Sequence, residues 1–178
     1  MATRDHGDGT VHDFRGTWPR LADDVFVAAG ARIIGDVEIG AGSSIWFNCV
    51  LRGDANAIRV GQGANIQDGS VVHVSRKGQG TLIGDCVTVG HLALVHACEL
   101  QDHSFVGLSA IVMDDCVIEP DGMLAAGAML TPGKRIAAGE LWAGRPARFT
   151  RMLSDQEIAG HRQTAAGYVT LAGLFRGG

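Results

Sequence analysis

Three histidines stand close together in sequence otherwise made of small and branched apolar residues: His73 in "VVHV", and His91 and His96 in "TVGHLALVHAC". Neutral imidazole is a common ligand for zinc and suits iron(II) and cobalt(II) equally well. Three protein ligands that leave a fourth position for water make a catalytic centre rather than a closed structural one. Whether these three side chains can meet depends on the elements that carry them. His6, His12, His103 and His161 lie in the N-terminal lead-in, a turn and a C-terminal helix, and read as surface or packing residues.

A six-residue aliphatic period runs through most of the chain. Val27, Ile33, Ile39, Ile45 and Leu51 establish it, and after a slip Val60, Ile66 and Val72 continue it. After a second slip it runs from Leu82 through Thr88, Leu94, Leu100, Val106, Val112, Ile118, Leu124 and Leu130 to Ile136. Four residues after the aliphatic position the chain usually holds a small side chain, as at Ala31, Ser43, Cys49, Ala55, Cys86, Cys98 and Cys116. A period of six fits neither a 3.6-residue helix nor a hairpin meander. It fits an all-β solenoid of triangular coils, with one hexapeptide per side, the aliphatic residue inward and the small one in the corner. Coils of this kind stack at the strand spacing of ~4.8 Å. The hexapeptides counted here make about six coils.

The expected organisation is an irregular lead-in over residues 1–20, the solenoid over 21–150 and a helical segment over 151–178, with the helix itself from about 155 to 175. Ser154 and Glu157 have the spacing of a capping box. Ile158, Ala165, Val169, Ala172 and Phe175 lie roughly on one face, suited to packing along the solenoid's side.

The two slips locate insertions: about three extra residues within "RGDANAIR" and about four in "SRKGQG". With the second insertion discounted, His73 and His96 stand about one coil apart. They should occupy the same side of neighbouring coils, about one strand spacing apart, close enough to share an ion. His91 falls in the hexapeptide between, near a corner of a different side. It does not easily join the other two within one chain, but a neighbour's His91 can reach them across a symmetric interface. A three-fold arrangement of prisms offers that contact three times.

Composition excludes other classes. The net charge of -4 argues against a nucleic-acid surface, which needs a basic face. No apolar run approaches the ~18 residues of a membrane span. The opening "MATRDHGDGTVHDF" has no apolar core of signal-peptide type, so a cytoplasmic protein is expected. Cys49, Cys86, Cys98 and Cys116 form no CxxC pair and read as reduced packing residues.

Together, "GDVEIGAGSSIWFNCVLRGD", "IRVGQGANIQDGSVVH", "VTVGHLALVHAC" and "WAGRPARFTRML" resemble the γ-class carbonic anhydrases and their hexapeptide-repeat relatives, including the phenylacetate-degradation and carnitine-operon proteins. The resemblance spans about residues 20 to 175. It implies a left-handed parallel β-helix with a C-terminal α-helix, assembled as a homotrimer with Zn2+ (or Fe2+ or Co2+) at the subunit interfaces. His73, His91 and His96 match the family's metal ligands, His91 coming from the adjacent subunit. The implied reaction is attack of metal-activated water on CO2 to give bicarbonate. Gln67 matches a residue that hydrogen-bonds the nucleophile or bicarbonate, and Asn65 lies beside it. Arg52 resembles an arginine that pairs across the interface with an aspartate, here Asp68, and Asp54 matches a further interface or site carboxylate. For Arg52 and Asp68 a structural ion pair and a catalytic role both stay open. Tyr168 matches a tyrosine that can reach the site, with helix packing as its other role.

One departure concerns proton exit. The best-studied branch has an acidic loop, whereas here Ala55 follows Asp54 and "SRKGQG" carries no carboxylate. Turnover is then expected to be slow, dependent on buffer, or sensitive to metal identity and oxidation. Two alternatives complete the expectations: an acyltransferase on the same solenoid using a CoA thioester, and a metal-containing scaffold or thioesterase-like protein with little hydratase activity. The histidine placement and "NIQD" favour hydration, and no long acceptor-binding loop is visible for the transferase.

Overall fold

The structure, a computed structural model, describes residues 1–177; Gly178, the last residue of the expected helical segment, lies outside it. The chain winds as a left-handed parallel β-helix with three flat faces, each a ladder of seven strands. Arg32–Ile39 and Val50–Val60 bend through a corner and serve both the first and the second face. Alternation along each short strand sends one aliphatic side chain inward per side. On the first face these are Ile33, Leu51, Val72, Val95, Val112 and Leu130, each 0% exposed. Burial of such side chains is worth roughly 1.5–3 kcal/mol each, and the stack forms one continuous core.

Seven coils stand where about six were expected. The extra coil comes from the ends: Leu21 and Trp142 stand in phase with the period, six residues before Val27 and six after Ile136, and Val11 adds a rung out of phase with it. Residues 1–20, expected as an irregular lead-in, contain an antiparallel hairpin of Thr3–His6 with Gly9–His12. Gly9–His12 then pairs in parallel with Arg32–Ile34, so the hairpin caps the open edge of the solenoid. At the other end Ala147–Met152 folds back antiparallel on Glu140–Gly144.

Register also corrects the repeat between the second insertion and Leu100. The inward residues are Ile83, Val89 and Val95, paired with Val60, Ile66 and Val72. Leu82 is 39% exposed, and Thr88, the one non-aliphatic residue of the expected series, points outward. The insertion therefore holds five extra residues, and the corner between Val95 and Leu100 is one residue short. Adjacent aliphatic pairs (Leu82–Ile83, Leu94–Val95) satisfy a period of six in either frame, so only pairing distinguishes them. For the same reason Val87, not Cys86, fills the small-residue slot, while Ala55 is exposed in the first insertion.

Most corners require a left-handed backbone. Gly63 (φ +62°) supplies it without steric cost. Leu92 (φ 59°), directly after His91, carries a Cβ into a region that side chains rarely adopt.

Helix α1 (Asp155–Phe175) begins at a capping box in which Ser154 and Glu157 satisfy each other's backbone N–H groups. It lies along the third face, against Phe26–Val27, Ser44–Ile45, Asn65–Ile66 and Thr88–Val89. Its inward stripe is Ile158, His161, Ala165, Tyr168 and Ala172, whereas Val169 is 40% exposed. Trp46 is the anchor: it meets Phe26, Tyr168 and Phe175 edge-on, with ring centroids 5.1–5.3 Å apart. Trp46→Ala is expected to cost about 3 kcal/mol, read by denaturant unfolding, and to release α1 to protease before the solenoid.

Glu157 also reports on this end of the chain. The hydrogen bond from Arg151, then the cap at Ser154, lower its pKa from 4.5 to about 2. A carboxylate with a lowered folded pKa stabilises the fold above its unfolded pKa and loses that contribution as pH falls through the folded one. The wild type should therefore lose α1 stability between about pH 4.5 and 2, and Glu157→Gln should flatten that part of a melting-temperature profile.

No helix among the described residues is long and apolar enough to cross a membrane. All four cysteines are free; burial pushes the Cys49 thiol up to about 12, which leaves it unreactive.

Candidate metal centre

The expected site residues fall into two groups at opposite edges of the first face. His73 and His96 end adjacent strands, Val71–His73 and Leu94–His96, in direct register. Each follows an inward valine, so both rings leave the solenoid on the same side. His73 Nδ1 lies 3.2 Å from His96 Nε2, and the rings are tilted with centroids 5.2 Å apart. Each ring's other nitrogen meets a carboxylate: His73 Nε2 donates to Asp54 Oδ1 (3.0 Å) and His96 Nδ1 to Asp114 Oδ1 (2.6 Å). Arg52 pairs with the second oxygen of Asp54. Burial alone would raise the Asp54 pKa, but the hydrogen bonds from His73 and Arg52 outweigh it and hold the carboxyl below its usual range.

The first insertion places Asp54. Gly35 faces Gly53 and Val37 faces Ile58, so residues 54–57 bulge out opposite Asp36. A Cβ on Gly35 would sit 2.4 Å from the Gly53 carbonyl oxygen, so the two coils can approach only with glycine there.

The second group lies at the corner where the third face turns into the first. Asp68 Oδ2 accepts from His91 Nδ1 at 2.7 Å, and both side chains are about two-fifths exposed. Gln67 Nε2 donates to Asn65 Oδ1 (3.0 Å), and Asn65 Nδ2 donates to Thr88 Oγ1 (2.9 Å). Gln67 and Asn65 are buried, and the chain of donors fixes both amides. Tyr168 packs on Trp46 beneath this corner; burial, then the nearby Asp68 charge, raises its pKa.

Within one chain the two groups do not meet. The structure brings together Arg52, Asp54, His73 and His96, and separately Asn65, Gln67, Asp68 and His91. Asp68 contacts His91 rather than Arg52. Among the described residues no three His, Cys, Asp or Glu side chains converge on one ion position. Two residues escaped the sequence reading. Asp114 lies 18 residues after His96, one coil on; the pairing of Val95 with Val112 puts Met113 opposite His96, so strand register alone does not reveal that Asp114 holds the ring. Thr88 was assigned to the inside of the solenoid, whereas it is buried on the outer side of the third face, where α1 packs, and supports Asn65 there.

The first face is apolar on its outer side between these edges: Val50, Val71, Leu94, Ile111 and Met129 form one row. The corresponding row of the second face is largely charged, with Arg20, Glu38, Arg59, Glu99 and Arg135.

Residues 19–53 match the family described as "Bacterial transferase hexapeptide (six repeats)". The chain is 50% identical over 159 residues to "Gamma carbonic anhydrase 1, mitochondrial" of Arabidopsis thaliana, an alignment covering 86% of this chain and 58% of the plant protein. It is 41% identical to "Probable carbonic anhydrase" of Methanocaldococcus jannaschii, covering 85% of this chain and 95% of that protein. Among solved structures, a hexapeptide transferase family protein from Anaplasma phagocytophilum superposes with a TM-score of 0.88 at 49% identity, covering 91% of this chain and 95% of that one. The chain thus spans less than two thirds of the plant relative's length and almost the whole of the archaeal one.

Proposed function

From a chain that belongs to the γ-class carbonic anhydrase family, we propose an enzyme that hydrates CO2 to bicarbonate at divalent metal centres built between the subunits of a homotrimer. The observation that carries the reading is the presence of two half-sites at opposite edges of one apolar face. A surface whose two edges complement each other makes a heterologous contact, and triangular prisms set around an axis close that contact into a three-membered ring. The row from Val50 to Met129 then lies against neighbouring copies and leaves water.

The donor set fits zinc. Two nitrogens each ~2.05 Å from a tetrahedral ion lie ~3.3 Å apart, and His73 Nδ1 and His96 Nε2 are 3.2 Å apart. His73 and His96 of one subunit and His91 of the next would hold the ion, with Fe2+ or Co2+ as alternatives of the same ligand chemistry. A bound divalent ion brings water to deprotonation near neutral pH and so supplies a nucleophile for CO2.

The chain's own residues do the rest. Asp54, held by Arg52, and Asp68 orient His73 and His91. Gln67, anchored on Asn65 and Thr88, keeps its carbonyl and one N–H for the nucleophile or for bicarbonate. Arg52 and Asp68 also remain the pair proposed to lock neighbouring subunits. Four free thiols suit a reducing compartment such as the cytoplasm.

The test is stopped-flow CO2 hydration on protein purified without oxygen, with metal content and sedimentation measured on the same sample. A trimer with one metal per chain and rapid hydration supports the reading. A fully metallated trimer without hydration overturns it in favour of a scaffold or hydrolytic protein, and a metal-free trimer reopens CoA-dependent acyl transfer.

A further inference from the structure

We propose that Asp114 is a positioning residue of this centre, holding His96 in the tautomer and ring orientation that present Nε2 to the metal. The proposal rests on the metal reading above and adds a residue to it. An ionised carboxylate only accepts, so the His96 nitrogen 2.6 Å from Asp114 Oδ1 carries the proton. Neutral imidazole has one N–H, so the lone pair of His96 lies on Nε2, the atom facing His73. The same argument at Asp54 leaves the His73 lone pair on Nδ1. In the neutral form that a metal ligand must take, two lone pairs aimed at each other across 3.2 Å would repel, and a cation placed between them would turn that repulsion into attraction.

The setting of Asp114 points the same way. It follows Ile111–Val112 in the next coil, and its backbone carbonyl is pinned by the Gly133 N–H at 2.9 Å. Its side chain is about one-third exposed, and among the described residues its ion-pair partner is His96; no lysine or arginine neutralises it. An aspartate serving only as a surface ion pair would meet a fixed cation. This one meets an imidazole whose other nitrogen faces a second imidazole. A carboxylate behind a ligating histidine also raises the basicity of the ligand.

The test uses the trimer purified free of metal, with Asp114→Ala and the isosteric Asp114→Asn as variants and Asp114→Glu as rescue. Nitrogen-15 NMR of labelled histidine in the metal-free protein should show a single Nδ1–H tautomer for His96 in the wild type and a mixture in Asp114→Ala. Cobalt(II) affinity, by competition with a chelator, should fall about 10–100-fold in Asp114→Ala and less in Asp114→Glu, at unchanged melting temperature. An unchanged tautomer together with unchanged cobalt affinity overturns the proposal. A loss of affinity matched by a loss of folding in both Asp114→Ala and Asp114→Asn also overturns it, because the role is then structural. A wild type that takes up no cobalt defeats the metal reading itself, and the tautomer measurement alone then decides whether Asp114 sets His96.

Discussion

His96→Ala will empty the metal centre and lower CO2 hydration by more than about 100-fold, while the solenoid keeps its melting temperature within a few degrees. The asymmetry follows from where the ring lies. Val95, the preceding residue, is 0% exposed and belongs to the continuous core, whereas the His96 side chain is 27% exposed and outside it. Truncation therefore removes little buried apolar area. It does remove one of two imidazoles whose nitrogens are set 3.2 Å apart, and it leaves Asp114 with nothing to orient. Activity and metal content, measured on one preparation, should fall together. A variant that keeps full metal content with full activity would show that the ion sits elsewhere.

Mixing two inactive variants gives the second large effect. His91→Ala and His96→Ala are each expected to be inactive alone. When the two chains are co-expressed, activity should return to about one quarter of the wild-type value. In a ring that contains both variants, one interface joins an intact His73–His96 edge to an intact His91 edge. Of the other two interfaces, one lacks one side and the other lacks both. With equal mixing about three quarters of the rings are mixed, each with one working site in three. The geometry permits this because the His91–Asp68 edge and the His73–His96 edge lie on opposite sides of the same face. If all three ligands came from one chain, the mixture would stay dead. Zinc content of the mixed sample, near one ion per mixed ring, gives the same answer without an assay.

Much of the fold was legible because a triangular coil imposes its period on composition: one aliphatic residue per side, one small residue per corner. The extent of helix α1 was legible, since Ser154 and Glu157 mark its start by local hydrogen bonding alone. The chain ends were not. Gly9–His12 lacks the period because it enters through a hairpin, and at the last rung Trp142 keeps the six-residue step from Ile136 but puts an aromatic ring where the series has an aliphatic residue. In the site, His73 and His96 were placed on neighbouring coils by counting, although the frame used was one residue out at Leu82 and Leu94. The five-residue insertion and the short corner after Val95 involve compensating shifts, and only strand register separates them.

The sequence by itself determined the solenoid, its three faces, the capped helix and the placement of His73 beside His96 on neighbouring coils, because each depends on spacing along the chain. The tertiary structure decided the partners: Asp54 on His73, Asp68 on His91 and Asp114 on His96. Those contacts join residues 18 to 23 positions apart, and whether a side chain points at its neighbour in the next coil depends on a frame that adjacent aliphatic residues leave ambiguous. Hydrogen bonding falls off within tenths of an ångström, so a one-residue uncertainty that leaves the fold unchanged is enough to hide which carboxylate holds which imidazole.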